Sequence, residues 1–118
     1  AAEIAQGEIV RRLARFFEEY DLLLCPAVLW PPFDVTQRYP TELNGVRFEG
    51  YMGWLILPYA VTMTTCPVMA LPCGFTRGGL PVGLQVIGRP RGEAALFSAA
   101  AYIEALLGIA RCTPIDPR

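Results

Sequence analysis

The chain has 118 residues, room for about one domain. Residues of the set A, V, I, L, M, F, W, Y and C make up 53% of it, and exchanging the 5 tyrosines for the 11 glycines lifts the apolar share well above the usual figure of about 45–50%. Net charge is −1, all 10 basic residues are arginines scattered from Arg11 to Arg118, histidine and lysine are absent and Ser98 is the only serine, which excludes Ser-His-Asp, Cys-His and Ser-Lys chemistry within the chain and leaves no basic stripe for nucleic acid.

The first element is an amphipathic helix from Glu3 to Tyr20. Ile4, Ile9, Val10, Leu13, Phe16, Phe17 and Tyr20 recur at i, i+3, i+4 spacing, with most charged residues off that stripe. Leu22 to Cys25, short, unalternating and closed by Pro26, reads as a strand covered on both faces, hence parallel or central. Pro31, Pro32, Pro40 and Asn44-Gly45 then mark an irregular surface excursion to Glu49, with a tight turn at the Asn-Gly pair. Tyr51 to Thr64 is expected to be a helix, with Pro58 in its first or second turn and Leu55, Tyr59 and Thr62 or Met63 on one face. Val68 to Phe75 and Val82 to Gly88 flank Gly78-Gly79 and read as an antiparallel hairpin. In its second strand Val82, Leu84 and Val86 point one way, and Gly83, Gln85 and Ile87 the other. Glu93 to Leu107 is a final helix ended by Gly108. The expected fold class is therefore α/β: a mixed sheet with flanking helices, in the order helix, strand, long loop, helix, β-hairpin, helix.

Other segments invite bolder readings that the residues do not support. Gly50 to Thr76 carries no charge and is long enough to span a membrane, but Pro58, Pro67 and Pro72 interrupt it, so a helix, a turn and a strand are expected and no membrane partner. Cysteines 25, 66, 73 and 112 form no CxxC pair and have no histidine beside them, which fits small core residues and not a metal site; no cofactor is expected. The opening residues do not read as a signal peptide, so a reducing, cytoplasmic compartment is the default. Ser98 stands mid-helix among alanines with no base available, Gln85 inside a strand needs hydrogen-bond partners, and Arg89 and Arg91 flank Pro90 in a solvated loop.

The segment from Thr62 to Ala100 resembles the C-terminal end of the amidase-signature enzymes. Thr64, Pro67, Pro72, Gly74, Gly79, Leu80, Pro81, Gly83, Gln85 and Glu93 stand in the places of that family's Thr-Gly-x-Pro, Pro-x-Gly and Gly-Leu-Pro-x-Gly-x-Gln strings, and Asp21 to Ala27 is similar to its Asp-x-Leu-apolar-x-Pro strand. Thr62, Thr65 and Ala70 depart from the family's Asn, Gly and Ser. The Gly/Ser-rich region with the nucleophilic Ser, the bridging Ser and the Lys base has no counterpart.

The resemblance implies that residues 1–118 are the C-terminal part of an amidase-signature domain, without catalytic residues of their own, in a protein that hydrolyses C–N bonds of amides. The absence of an initiator Met leans the same way. It also implies that Leu55, Tyr59, Thr62 and Met63 line the substrate channel, against the plainer reading of them as core. The expected partners are the amide substrate and the rest of the amidase domain, and the apolar surplus makes self-association of the isolated chain an expectation as well. A non-catalytic binding or oligomerisation module on the same scaffold, and part of a tRNA-dependent amidotransferase subunit, are the alternatives.

Overall fold

The computed structural model describes residues 1–109, so Cys112, Arg111 and Arg118 lie outside the described residues. A helix α1 (Ala2–Glu19) leads to strand β1 (Leu23–Pro26), and a small hairpin β2 (Glu42–Leu43) and β3 (Val46–Arg47) interrupts the excursion that follows. A 3-10 turn (Gly53–Leu55), helix α2 (Ile56–Thr62), strands β4 (Val68–Phe75) and β5 (Pro81–Ile87), and helix α3 (Glu93–Leu107) complete the order.

The main sheet has three strands in the order β1-β5-β4, and both ladders are antiparallel. This corrects the expected parallel or central placement of the Leu22–Cys25 run. Among the described residues its strand lies at an edge, pairing Leu23 with Ile87 and Cys25 with Gln85. Leu23 and Cys25 are half-buried beneath α1 whereas Leu24 is half exposed, so the unbroken apolar run reflects an uncovered face among the described residues and not two covered ones.

Strand β5 separates two cores, as its alternation requires. Val86, with Leu84, Leu71 and Met69, packs against Leu96, Ala100 and Ile103 of α3. Ile87 turns the other way, onto Phe17 of α1 and Val61 of α2. Val86 and Ile87 are 0% and 1% exposed, and they are among the largest fully buried side chains of the chain.

Proline and turn residues fall where the backbone can use them. Pro58 is the third residue of α2, where a helix has no partner for the missing N–H. Pro72 sits on the edge strand β4 at a register shift between Pro72 and Gly74. Asn44 and Gly45 both take positive φ, 49° and 81°, as a two-residue hairpin turn demands. In the loop between β4 and β5 it is Gly79, not Gly78, that carries the positive φ, 80°, and Thr76 closes the loop by accepting from the Leu80 N–H on its hydroxyl at 3.1 Å. Gly108 caps α3 in the left-handed conformation, its N–H donating to the Glu104 carbonyl.

The charge-free stretch from Gly50 to Thr76 is divided between the 3-10 turn, α2 and most of β4, and among the described residues no helix is long and apolar enough to cross a membrane. α3 is apolar around most of its circumference: Phe97, Tyr102 and Leu106 stand exposed outside the buried stripe. A helix of that kind is normally covered on more than one side.

Thr65 explains one of the departures in the resembled motif. Its φ is 59°, in the left-handed region where the motif carries glycine and where a β-branched side chain is strained. No hydrogen bond engages its hydroxyl among the described residues. Thr65→Gly should therefore raise stability by up to about 1 kcal/mol in urea melts, the relief of strain exceeding the extra unfolded-state freedom of glycine. A loss of stability would show that the threonine side chain holds this turn.

Candidate substrate-facing site

Two concave regions lie on the side of the chain built by the excursion and α2. The larger, about 470 Å³, is a cleft lined by the segment from Pro26 through Val28 to Phe33, by Trp54, and by Pro81, Val82 and Gly83. No charged residue lines it. Its walls are held by rigid parts: Pro31 and Pro32 fix the backbone, and the Phe33 ring meets Trp54 edge-on with centroids 5.7 Å apart. The aromatic contacts continue from Trp54 to Tyr51 and from Tyr51 to Tyr39, pinning the excursion onto the start of α2. The Trp54 indole N–H is buried and has no acceptor among the described residues.

The second region, about 390 Å³, is a hollow lined by Glu49 to Gly53, Ile56 and Tyr59. Tyr59 is 40% exposed, and its hydroxyl donates to the Met52 sulfur at 3.0 Å, which fixes the ring across the hollow. Of the four residues expected to face a channel, Tyr59 lines this hollow; Leu55, Thr62 and Met63 do not. Leu55 ends the 3-10 turn and is half-buried. Thr62 is exposed and turns its hydroxyl back to donate to the Pro58 carbonyl at 2.9 Å. Met63 is 41% exposed just past α2, its carbonyl accepting from Gln6 of α1. The residue α2 commits to the core is Val61. The helical face shared by Leu55 and Tyr59 is thus split, because the 3-10 turn changes the periodicity between them.

The other residues of chemical interest serve structure. Ser98 donates to the Ala94 carbonyl at 3.1 Å, an i to i−4 bond within α3. Cys66 and Cys73 contact carbonyl oxygens of Thr64 and Val82. Burial pushes the Cys25 thiol above its ordinary value. Asp34 accepts from both the N–H and the hydroxyl of Thr36, which holds its carboxyl below the usual range and closes the far end of the cleft wall with a tight turn. Arg89 pairs with Asp21 at 3.3 Å in an exposed, weakly stabilising contact. No cluster of metal-ligating side chains occurs among the described residues.

The order of these elements and the motif along α2, β4 and β5 are matched outside this chain. Residues 1–97 fit the family model described as Amidase. The chain belongs to the amidase family. It is 33% identical over 116 residues to an acylamidase of Rhodococcus erythropolis, covering 98% of this chain and 24% of that protein. It is 37% identical over 90 residues to a glutamyl-tRNA(Gln) amidotransferase subunit of Myxococcus xanthus (strain DK1622), covering 76% of this chain and 17% of that one. The crystal structure of a bacterial aryl acylamidase of the amidase signature family superposes with a TM-score of 0.69 at 24% identity, over 86% of this chain and 21% of that chain, which establishes the shared fold. The chain spans a quarter or less of the length of these relatives.

The cleft around Trp54 was not legible from spacing. Its one signal was the density of Trp30, Pro31, Pro32 and Phe33 in a segment read as surface excursion. Because the Cys25 thiol titrates above its usual range, it should carry less thiolate than a free cysteine near pH 8 and alkylate more slowly with iodoacetamide, as read by peptide mapping. Faster alkylation than a free thiol would reveal an activating neighbour.

Proposed function

We propose that residues 1–118 are the C-terminal part of an amidase-signature domain that, when complete, hydrolyses the C–N bond of an amide, and that this part completes the sheet and shapes the substrate pocket without holding the Ser-Ser-Lys machinery. The observation that carries this reading is the combination of the family match with a chain that has no lysine and a single serine, whose hydroxyl is bonded within α3. A nucleophile of that kind needs a base within reach, and none of the basic side chains present can serve, because arginine stays protonated.

The pocket-shaping role rests on Tyr59 in its hollow, with Leu55, Thr62 and Met63 adjoining it along the chain. The half-exposed edge residue Leu24 and the exposed outer face of α3 support a role for the rest of the domain in covering this chain, and for self-association when that cover is missing. The free Cys25, Cys66 and Cys73 are consistent with a cytoplasmic setting. A second reading, part of a tRNA-dependent amidotransferase subunit, draws support from the relative of that name at 37% identity.

Two outcomes test the proposal. The purified 118-residue chain should turn over no simple amide or ester; activity that survives both Ser98→Ala and thiol alkylation would overturn it. In the full-length protein, Tyr59→Ala should change the ratio of kcat/KM between a short and a bulky acyl amide by an amount equivalent to about 1–3 kcal/mol, the range of ordinary pocket changes. Equal loss on both substrates together with lost stability would make Tyr59 a packing residue.

A further inference from the structure

Among the described residues, the Gln85 side chain ties β5 by hydrogen bonds to the wall of the Trp54 cleft. It lies on the same face of β5 as Gly83 and Ile87, and its amide nitrogen is 3.2 Å from the Pro26 carbonyl and 3.4 Å from the Ala27 carbonyl. The Cys25 sulfur is 3.7 Å from the same nitrogen. Two carbonyl oxygens can be met only by the donor end of the amide, so the partners themselves orient it. Pro26 lacks an N–H, and beyond it the chain leaves the sheet. From that point the backbone is held by the Ala27 N–H donating to the Gly83 carbonyl at 2.9 Å and by the Gln85 amide.

Gly83 makes the same contact from the backbone side. A Cβ at position 83 would stand 2.9 Å from the Cβ of Ala27, closer than real Cβ atoms approach, so glycine lets the departing chain lie directly on β5. Downstream of Ala27 this chain becomes the cleft wall, with Val28, Trp30 and the two prolines leading to Phe33 on Trp54. The direction in which the segment leaves the sheet sets the width between it and Pro81–Gly83.

We propose that Gln85 is a positioning residue: through the Pro26 and Ala27 carbonyls it holds the Pro26–Phe33 wall at the spacing that admits a flat, uncharged aromatic group of the amide substrate. The proposal rests on the amidase reading given above for its substrate, and on the geometry alone for the wall. The lining among the described residues is uncharged, aromatic and proline-rich, which favours a flat apolar group over a charged one. The volume of about 470 Å³ lies within the ordinary range for a small-molecule site.

The test uses the full-length protein labelled with 5-fluorotryptophan, the resonances of Trp30 and Trp54 assigned with Trp30→Phe and Trp54→Phe. Gln85→Met, which keeps the length and removes both donors, should shift the Trp30 fluorine resonance. It should raise KM for an anilide by about tenfold, within the range of ordinary changes in pocket shape, while KM for acetamide changes by less than about twofold and kcat is retained. Gln85→Glu should behave like Gln85→Met at neutral pH and recover partly on acidification, because a protonated carboxyl regains one donor; a residue that only fills space would show no such recovery.

Should Gln85→Met fail to fold, Gly83→Ala approaches the same wall from the other side. It should move the Trp30 resonance, and the pair Gly83→Ala with Ala27→Gly should return it. An unmoved Trp30 resonance in all of these variants, or equal KM changes for anilide and acetamide, overturns the positioning role. If the wild-type protein hydrolyses no amide while Gln85→Met still moves Trp30, the wall role stands and the amidase reading, with the substrate assigned to the cleft, falls.

Discussion

Everything in this chain is arranged around the need of one strand, β5, to bury side chains on both of its faces. Val86 and Ile87 are adjacent in sequence and must point in opposite directions, so a cover is required on each side. α3 provides one, and α1 together with α2 provides the other. The neighbours β1 and β4 close the hydrogen-bonding edges of β5. Remove either cover and a fully buried aliphatic side chain is returned to water, at a cost of about 1.5–3 kcal/mol for each such residue.

The same strand then positions the functional surface. At its C-terminal end β5 carries the two cores; at its N-terminal end Pro81, Val82 and Gly83 form one side of the cleft. Gln85 stands between these regions and reaches across to the departing β1 chain. The excursion from Val28 to Met52 folds back through the contacts of Phe33 and Tyr51 with Trp54, so aromatic packing substitutes for the hydrogen-bond ladder that a regular element would have. Among the described residues its ladder is the two-residue pairing across Asn44-Gly45.

Apolar surface is unevenly distributed over the described residues. Phe97, Tyr102 and Leu106 extend the apolar character of α3 beyond the stripe that β4 and β5 use. β1 has a pairing partner on one side only, among the described residues, and Leu24 beside it is half exposed. An unpaired strand edge and an apolar helix face are both surfaces that a folded protein normally covers. The relatives that the chain matches over 76–98% of its length are four or more times as long.

The sequence by itself determined the helices α1 and α3, the β4–β5 hairpin and the opposite-facing alternation of β5, because each is written in local periodicity and in turn residues whose backbone needs are short-range: Gly79, Gly108 and Asn44-Gly45. It also determined that the chain has a single serine and neither histidine nor lysine, a matter of composition alone. Only the tertiary structure decided that the apolar run at Leu22–Cys25 forms, among the described residues, an edge strand paired antiparallel, since an unbroken apolar stretch reads the same whether one face or both are covered. The division of Leu55 from Tyr59 was likewise invisible in spacing, because a 3-10 turn and an α-helix place the same residues on different faces. The cleft at Trp54 brings together residues from positions 26 to 33, 54 and 81 to 83; proximity of that kind arises from how β5 pairs with β1 and from a side-chain amide reaching two backbone carbonyls, and no local pattern encodes it.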